Sequence, residues 1–222
     1  MTDIACNDCL SWLRGLEAGS AHLCFVDPPY NRGKHYGDFA DNLPWDEYDA
    51  RAKELVEQMA RVSSRGVAIF VPATLSRRWW QWMPDAQQVI IEKGALGNNS
   101  GGWIQQYFVL LTTARPLERR YARNLWRGLR LPGEGYYFHE ERPDHPGFTC
   151  EALVARAIQA FTLPGEIVGD PMMGSGTTAV VAERLGRQWI GCEQNPAYIE
   201  QATERLRRAR AQTRLPIGEE RG

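Results

Sequence analysis

Seven short apolar runs separated by helical patterns constrain this chain more than anything else in it. They cover residues 3–6, 22–26, 67–71, 87–93, 107–112, 166–169 and 188–192. Most are rich in Val, Ile, Leu and Phe without polar alternation, as strands covered on both faces should be. Between them lie helical patterns. One runs from Pro44-Trp45-Asp46 to about Ser63. A second starts at Thr149 as N-cap and puts Leu153, Ala157, Ile158 and Phe161 on one face. A third opens with Asn195-Pro196 and carries Ile199, Ala202 and Leu206 at helical spacing. Alternating strands and helices predict an α/β fold: a doubly wound, mainly parallel, seven-stranded Rossmann-like sheet. A chain of 222 residues that is 43% hydrophobic can bury one substantial core.

Several classes are disfavoured. No run approaches the ~20 apolar residues of a membrane span, and the start "MTDIACNDCLSW" has no signal-peptide pattern. Five cysteines, an odd number, suggest reduced thiols and a cytoplasmic setting. Cys6 and Cys9 form a lone CxxC without a second pair or suitably spaced histidines, so ordinary thiols are expected and no metal. The net charge is -1, so any attraction to a polyanion must be local. Arginine outnumbers lysine 23 to 3, from phosphate contacts or from codon preference.

Two motifs carry chemistry. The first is Phe25-Val26-Asp27-Pro28-Pro29-Tyr30-Asn31. Proline fixes φ and cannot donate to a ladder, so Asp-Pro-Pro-Tyr ends a strand in a stiff corner bearing a carboxylate, a fixed carbonyl and a phenol. The second runs from a strand through Asp170-Pro171-Met172-Met173-Gly174-Ser175-Gly176-Thr177-Thr178 into a helix, then returns by a strand to Glu193. Glycines allow close approach of a ligand, and an acid after the second strand suits a ribose diol. Thr177 stands where a P-loop needs lysine, and Ala179 breaks the dinucleotide fingerprint. A ribose-bearing ligand without an essential pyrophosphate, such as S-adenosylmethionine, fits better; an ordinary glycine turn is the alternative.

Together these motifs, in this order, resemble motif IV and motif I of the beta class of S-adenosylmethionine-dependent DNA amino-methyltransferases, a circular permutation of the common methyltransferase fold. Asn7-Asp8-Cys9 is similar to the family's "GDC" start, which implies that Asp8 and Cys9 lie near the cofactor adenine. Asp144-His145-Pro146-Gly147-Phe148-Thr149-Cys150-Glu151-Ala152-Leu153 resembles the family's "KHPTQKPEAL" stretch beside the methionine end. Thr149-Cys150 replaces its Lys-Pro, which leaves the cofactor carboxylate to other groups, such as the hydroxyls of Thr149, Thr177 and Thr178. Met172-Met173 stands where the family usually has Phe-Ala or Phe-Met, a mild change because methionine packs adaptably. "LGRQWIGCEQNPAYIEQATERL" resembles the family's second-strand acid and following helix.

The resemblance implies a cofactor set of Asp8, Cys9, Asp27, Phe148, Thr149, Asp170, Pro171, Met172, Gly174, Ser175, Gly176, Thr177, Thr178, Glu193 and Gln194. It implies a catalytic set of Asp27, Pro28, Pro29 and Tyr30. The Asp27 carboxylate and Pro28 carbonyl would accept the protons of an exocyclic amino group, turning its lone pair towards the sulfonium methyl. Tyr30 would stack on a base flipped from duplex DNA. Aspartate at the first position leans towards adenine N6, with cytosine N4 as the alternative. A non-catalytic DNA-binding protein on this fold, and methylation of RNA or a protein amide, are the other readings.

The organisation expected is a catalytic half (1–113), a short basic insertion (114–144), a cofactor-binding half (145–214) and a disordered tail (215–222). Residues 31–43 read as a flexible flap over an extruded base, or as a solvated loop. From 115 to 130 there are six arginines and one acid. Lys34, Arg119, Arg120, Arg123 and Arg127 are therefore the candidate DNA contacts. So short a recognition segment implies a small site or a homodimer sharing the task; a cognate restriction endonuclease is the further partner implied. His139 and His145 read as surface or hydrogen-bonded residues, and Trp79, Trp80 and Trp82 as packing residues.

Overall fold

The computed structural model describes residues 4–36, 39–92, 107–127 and 150–213. The first half runs β1 (Ile4–Cys6), α1 (Cys9–Gly15), β2 (Ala21–Val26), β3 (His35–Tyr36), β4 (Phe39–Ala40), α2 (Trp45–Val62), β5 (Ser63–Pro72) and α3 (Ser76–Trp80). There follow β6 (Gln87–Glu92), β7 (Tyr107–Thr112), β8 (Leu125–Trp126), α4 (Glu151–Phe161), β9 (Ile167–Asp170), α5 (Thr177–Arg184), β10 (Gln188–Glu193) and α6 (Pro196–Thr213). Among the described residues eight strands make one sheet, in the order β1-β10-β9-β2-β5-β7-β6-β8. The first five are mutually parallel, β7 runs against β5 and β6, and β8 is parallel to β6.

All seven expected runs are strands. The sheet has one more, because β8 is only two residues long and its pairing is tertiary. The Asn124 carbonyl accepts from Ile90 N at 2.7 Å, and Trp126 is buried with its indole N–H on the Arg123 carbonyl at 3.1 Å. β8 falls in the stretch expected as a basic insertion and is the last strand in the sheet order, beside β6. The expected flap holds a small hairpin, with His35 opposite Ala40 and Tyr36 opposite Phe39. The helix after the basic stretch starts at Glu151 with Cys150 as N-cap; Thr149, the expected cap, lies outside the described residues. α1 and α3, of seven and five residues, are too short to show as periodicity.

Side chains alternate between the two faces of a strand, and here both faces are covered. Leu23 and Phe25 of β2 and Ala68 and Phe70 of β5 pack with α4, α5 and α6 through Val154, Ile158, Val181 and Leu206. Cys24, Val26, Val67, Ile69 and Val71 pack on the other side with Leu13, Leu55, Met59 and Trp79 from α1, α2 and α3. Each large apolar side chain so buried contributes about 1.5–3 kcal/mol. In the central strands every position from Leu23 to Val26 and from Val67 to Val71 is buried, which is why those runs lack alternation.

From β9 the chain crosses through α5 to β10 on one side, while from β2 it crosses through α2 to β5 on the other. β9 and β2 are neighbours, with Cys24 opposite Gly169. The connections diverge there and leave a crevice at the carboxyl ends of the strands, the place where open α/β sheets bind ligands. The Asp27 corner and the Asp170 glycine loop both emerge into it.

Candidate active site

The corner 27–30 is anchored from two neighbouring elements. The Tyr30 hydroxyl lies within hydrogen-bond reach of Asp27 Oδ1 and of the Phe70 carbonyl of β5, at 2.8 Å from the latter. The Tyr48 hydroxyl of α2 donates to the Pro29 carbonyl at 3.1 Å. Two prolines and two tyrosine tethers thus hold the carboxylate and the phenol ring in place before any ligand arrives. The following loop winds round the buried Asp41 carboxylate, which accepts from the backbone N–H groups of Asn31 (2.6 Å), Arg32 (3.1 Å) and Lys34 (3.0 Å). Asn31 takes the left-handed region, with φ 55°, and its side-chain amide donates to the Leu43 carbonyl at 2.8 Å.

The glycine loop is pinned to the end of β10. Gly174 N donates to Glu193 Oε2 and Asn195 N to Glu193 Oε1, both at 2.9 Å, and Met173 N donates to the Cys192 carbonyl at 2.9 Å. Gly176 has φ +81°, and a Cβ on it would stand 2.8 Å from Ala202 Cβ of α6. Glycine is required there by both dihedral and contact. Asp8 caps α1 by accepting from Ser11 N at 3.0 Å and pairs with Arg51 of α2 at 3.1 Å. Burial alone would raise the Asp8 carboxyl, but Ser11 and the Arg51 guanidinium outweigh it and hold it below its ordinary value. Burial and the adjacent Asp8 push the Cys9 thiol up to about 12, so it stays neutral. Among the described residues no cluster suits a metal ion.

These parts share one cavity of about 280 Å³. In sheet order its lining runs from Asn7–Asp8–Cys9 after β1, to Glu193 and Gln194 at β10, to Pro171, Met172 and Gly174 after β9. It continues with the corner 27–30 after β2, Phe70 of β5 and Phe108 of β7. At roughly 4.8 Å per strand step this spans about 24 Å. The acidic, glycine-lined side suits a nucleoside, and the aromatic side suits a second flat ring, with Asp27 between them.

Of the expected cofactor residues, Asp8, Cys9, Asp27, Pro171, Met172, Gly174, Glu193 and Gln194 line the cavity. Ser175, Gly176, Thr177 and Thr178 are not among its lining; Ser175, Thr177 and Thr178 are buried behind the loop. Phe148 and Thr149, like His139, His145 and the tail 215–222, lie outside the described residues. Of the candidate DNA contacts, Lys34 lines the cavity. Arg119, Arg120, Arg123 and Arg127 are exposed around β8, four strands from β2, where Arg120 pairs with Glu118 at 2.7 Å and Arg127 with Glu92 at 3.4 Å. Trp79 is buried as expected, whereas Trp80 is 40% exposed. Sequence reasoning missed Tyr48, Arg51 and Phe108. Tyr48 and Arg51 stand one turn apart on α2, where the apolar stripe is visible but not the two polar groups it carries to the cavity.

Buried Asp170 lies beneath the loop, accepting from Met172 N at 3.0 Å. Burial pushes its carboxyl up from 3.8 to about 7, helped by Glu193 and Asp27 and opposed by Thr178 and Met172. The folded state therefore holds a proton that the unfolded chain has released between about pH 4 and 7. The stabilisation this confers is complete below the unfolded value and is lost as pH rises through the folded one. Asp170→Asn cannot ionise. Its melting temperature relative to the unaltered protein should climb between pH 5 and 8, by at most about 1.4 kcal/mol of stability per pH unit. A difference independent of pH would contradict this.

Residues 77–204 match the N6/N4 DNA methylase family model. Type II methyltransferase M.HpaI of Haemophilus parainfluenzae is 30% identical over 240 residues, covering 91% of this chain and 73% of that protein. DNA adenine methyltransferase YhdJ of Escherichia coli K12 is 26% identical over 236 residues, covering 90% of this chain and 80% of that protein. Among solved structures, the PvuII DNA methyltransferase (cytosine-N4-specific) superposes with a TM-score of 0.72 at 17% identity, over 92% of this chain and 86% of that one. M1.HpyAVI in complex with S-adenosylmethionine gives 0.66 at 22% identity, over 93% and 99%. The family match and these likenesses define the class, DNA methylases. The chain belongs to the N6-adenine/N4-cytosine DNA methyltransferase family.

Proposed function

We propose that this protein transfers the methyl group of S-adenosylmethionine to the exocyclic N6 of an adenine flipped out of duplex DNA. The observation that carries the reading is the single cavity in which Asp27 and Tyr30 face the loop of Pro171, Met172 and Gly174 and the Glu193 carboxylate. The donor set suits the cofactor: Glu193 offers acceptors for a ribose diol, and Asp8 and Gln194 offer polar atoms for an adenine edge. When bound, S-adenosylmethionine supplies an electrophilic sulfonium methyl group. The protein's own part is to hold the other reactant. Asp27 and the Pro28 carbonyl accept hydrogen bonds from the two amino hydrogens, which turns the nitrogen lone pair out of conjugation. As the N–C bond forms the S–CH3 bond breaks, the sulfur leaves as a neutral thioether, and Asp27 takes the one proton released. Tyr30, its hydroxyl tethered at Phe70, presents a fixed ring face for stacking.

Adenine is favoured over cytosine by the aspartate at the first position of the corner and by the similarity to YhdJ, an adenine methyltransferase. Cytosine N4 is the second reading, supported by the fold shared with the cytosine-N4-specific PvuII enzyme. Unmethylated genomic DNA incubated with the protein and S-adenosylmethionine, then digested to nucleosides and weighed by mass spectrometry, should yield N6-methyl-2′-deoxyadenosine. N4-methylcytosine alone would select the second reading. Label entering RNA or protein but not DNA would defeat both.

A further inference from the structure

The glycine loop is held from behind by a buried ionic cluster that no part of the reaction uses. Arg205 lies on α6, one turn beyond Ala202, the residue against which Gly176 packs. Its Nη1, with two N–H groups to share, lies within hydrogen-bond reach of three loop acceptors: the Ser175 carbonyl at 2.8 Å, Ser175 Oγ at 3.1 Å and Thr177 Oγ1 at 3.0 Å. Its Nη2 donates to Glu151 Oε1 at 3.0 Å, and the other oxygen of Glu151 takes Arg184 of α5. The Glu151 side chain is 9% exposed and that of Arg205 19%, whereas Arg184 remains 40% exposed.

We infer that Arg205 is a positioning residue for the cofactor loop. It clamps Ser175 and Thr177 so that Gly174 presents its edge to the cavity, and Glu151 supplies the buried countercharge. The physical basis is geometric. A guanidinium spans several acceptors in one plane, and the three loop oxygens lie on one nitrogen while the carboxylate lies on the other. A lysine ammonium is a single point and cannot hold both sets in that spread. A buried carboxylate needs a countercharge, and Glu151 takes it from Arg205, which directs the same cation at the back of the loop. Arg184 reaches the same carboxylate but none of the loop oxygens, and so serves as an internal control. The consequence for S-adenosylmethionine rests on the function proposed above; the clamp does not.

The test uses Arg205→Met, Arg205→Lys and Arg184→Met in the full chain, with melting temperature, amide hydrogen exchange over residues 171–178, and calorimetric binding of S-adenosylmethionine. Arg205→Met should speed loop exchange and weaken cofactor binding by ~10-fold or more. The KM for the cofactor should rise while kcat changes little. Arg205→Lys should recover most of the melting temperature but only part of the loop protection. Arg184→Met should lower the melting temperature with loop exchange and affinity unchanged. Equal effects of the Arg205 and Arg184 variants on the loop, or unaltered exchange in Arg205→Met, would overturn the inference. If the unaltered protein takes up no S-adenosylmethionine, the proposed function fails, while the exchange measurement still decides the clamp.

Discussion

Asp27→Ala should lower methyl transfer by about 10³-fold or more while S-adenosylmethionine binding changes only a few-fold. The carboxylate is the acceptor that strips the target amino group of conjugation, and alanine leaves that position to water. The fold should survive, because the Tyr30 hydroxyl keeps the Phe70 carbonyl and Pro29 keeps Tyr48. Single-turnover transfer to DNA, with calorimetry on the same sample, separates the two effects. A variant retaining more than a tenth of the activity would remove Asp27 from the chemistry. Parallel loss of cofactor binding would show instead that the corner supports the pocket as a whole.

The second large effect is expected at Gly176. Alanine there takes the left-handed dihedral cost of about 1–2 kcal/mol. It also meets Ala202, at 2.8 Å from Cβ and 3.1 Å from Cα, atoms that move only with α6. Overpacking of that kind costs a further ~1–3 kcal/mol. For a chain of this size the sum lowers the melting temperature by roughly 5–15 °C, and because the strain sits in the loop, cofactor affinity should fall with it. Gly165 makes a useful comparison: its φ is +83°, but a Cβ would meet nothing within 4 Å. Gly165→Ala should cost only the dihedral share and leave binding intact. Equal losses at both positions would mean that the approach of α6 is not what constrains the loop.

Much of the candidate cavity's lining could be named before the fold was known, and the reason differs between its parts. Asp27-Pro28-Pro29-Tyr30 is legible because proline's covalent ring dictates the backbone wherever it stands. The loop 170–178 is legible because its glycines mark close approach. The same loop shows where that reasoning stops. Ser175, Thr177 and Thr178 look like ligand contacts from their place in the motif, yet they sit behind the cavity lining. The direction a loop side chain takes is set by what packs beneath it, here Arg205 of a helix 28 residues from Thr177 in sequence. Likewise Arg119, Arg120, Arg123 and Arg127 read as a basic run, but two of them are partnered by acids around β8, a strand formed by pairing with β6.

What the chain determines by itself is local and covalent. Apolar runs without alternation demand a sheet covered on both sides, prolines stiffen one strand end, and glycines loosen another. Which strand ends become neighbours is decided only when β2 inserts between β9 and β5, since that order depends on burying both faces at once rather than on any one segment. The same packing brings Tyr48 to Pro29, Arg51 to Asp8 and Arg205 to the glycine loop. These are contacts between residues with no shared local pattern, so only the assembled core could reveal them.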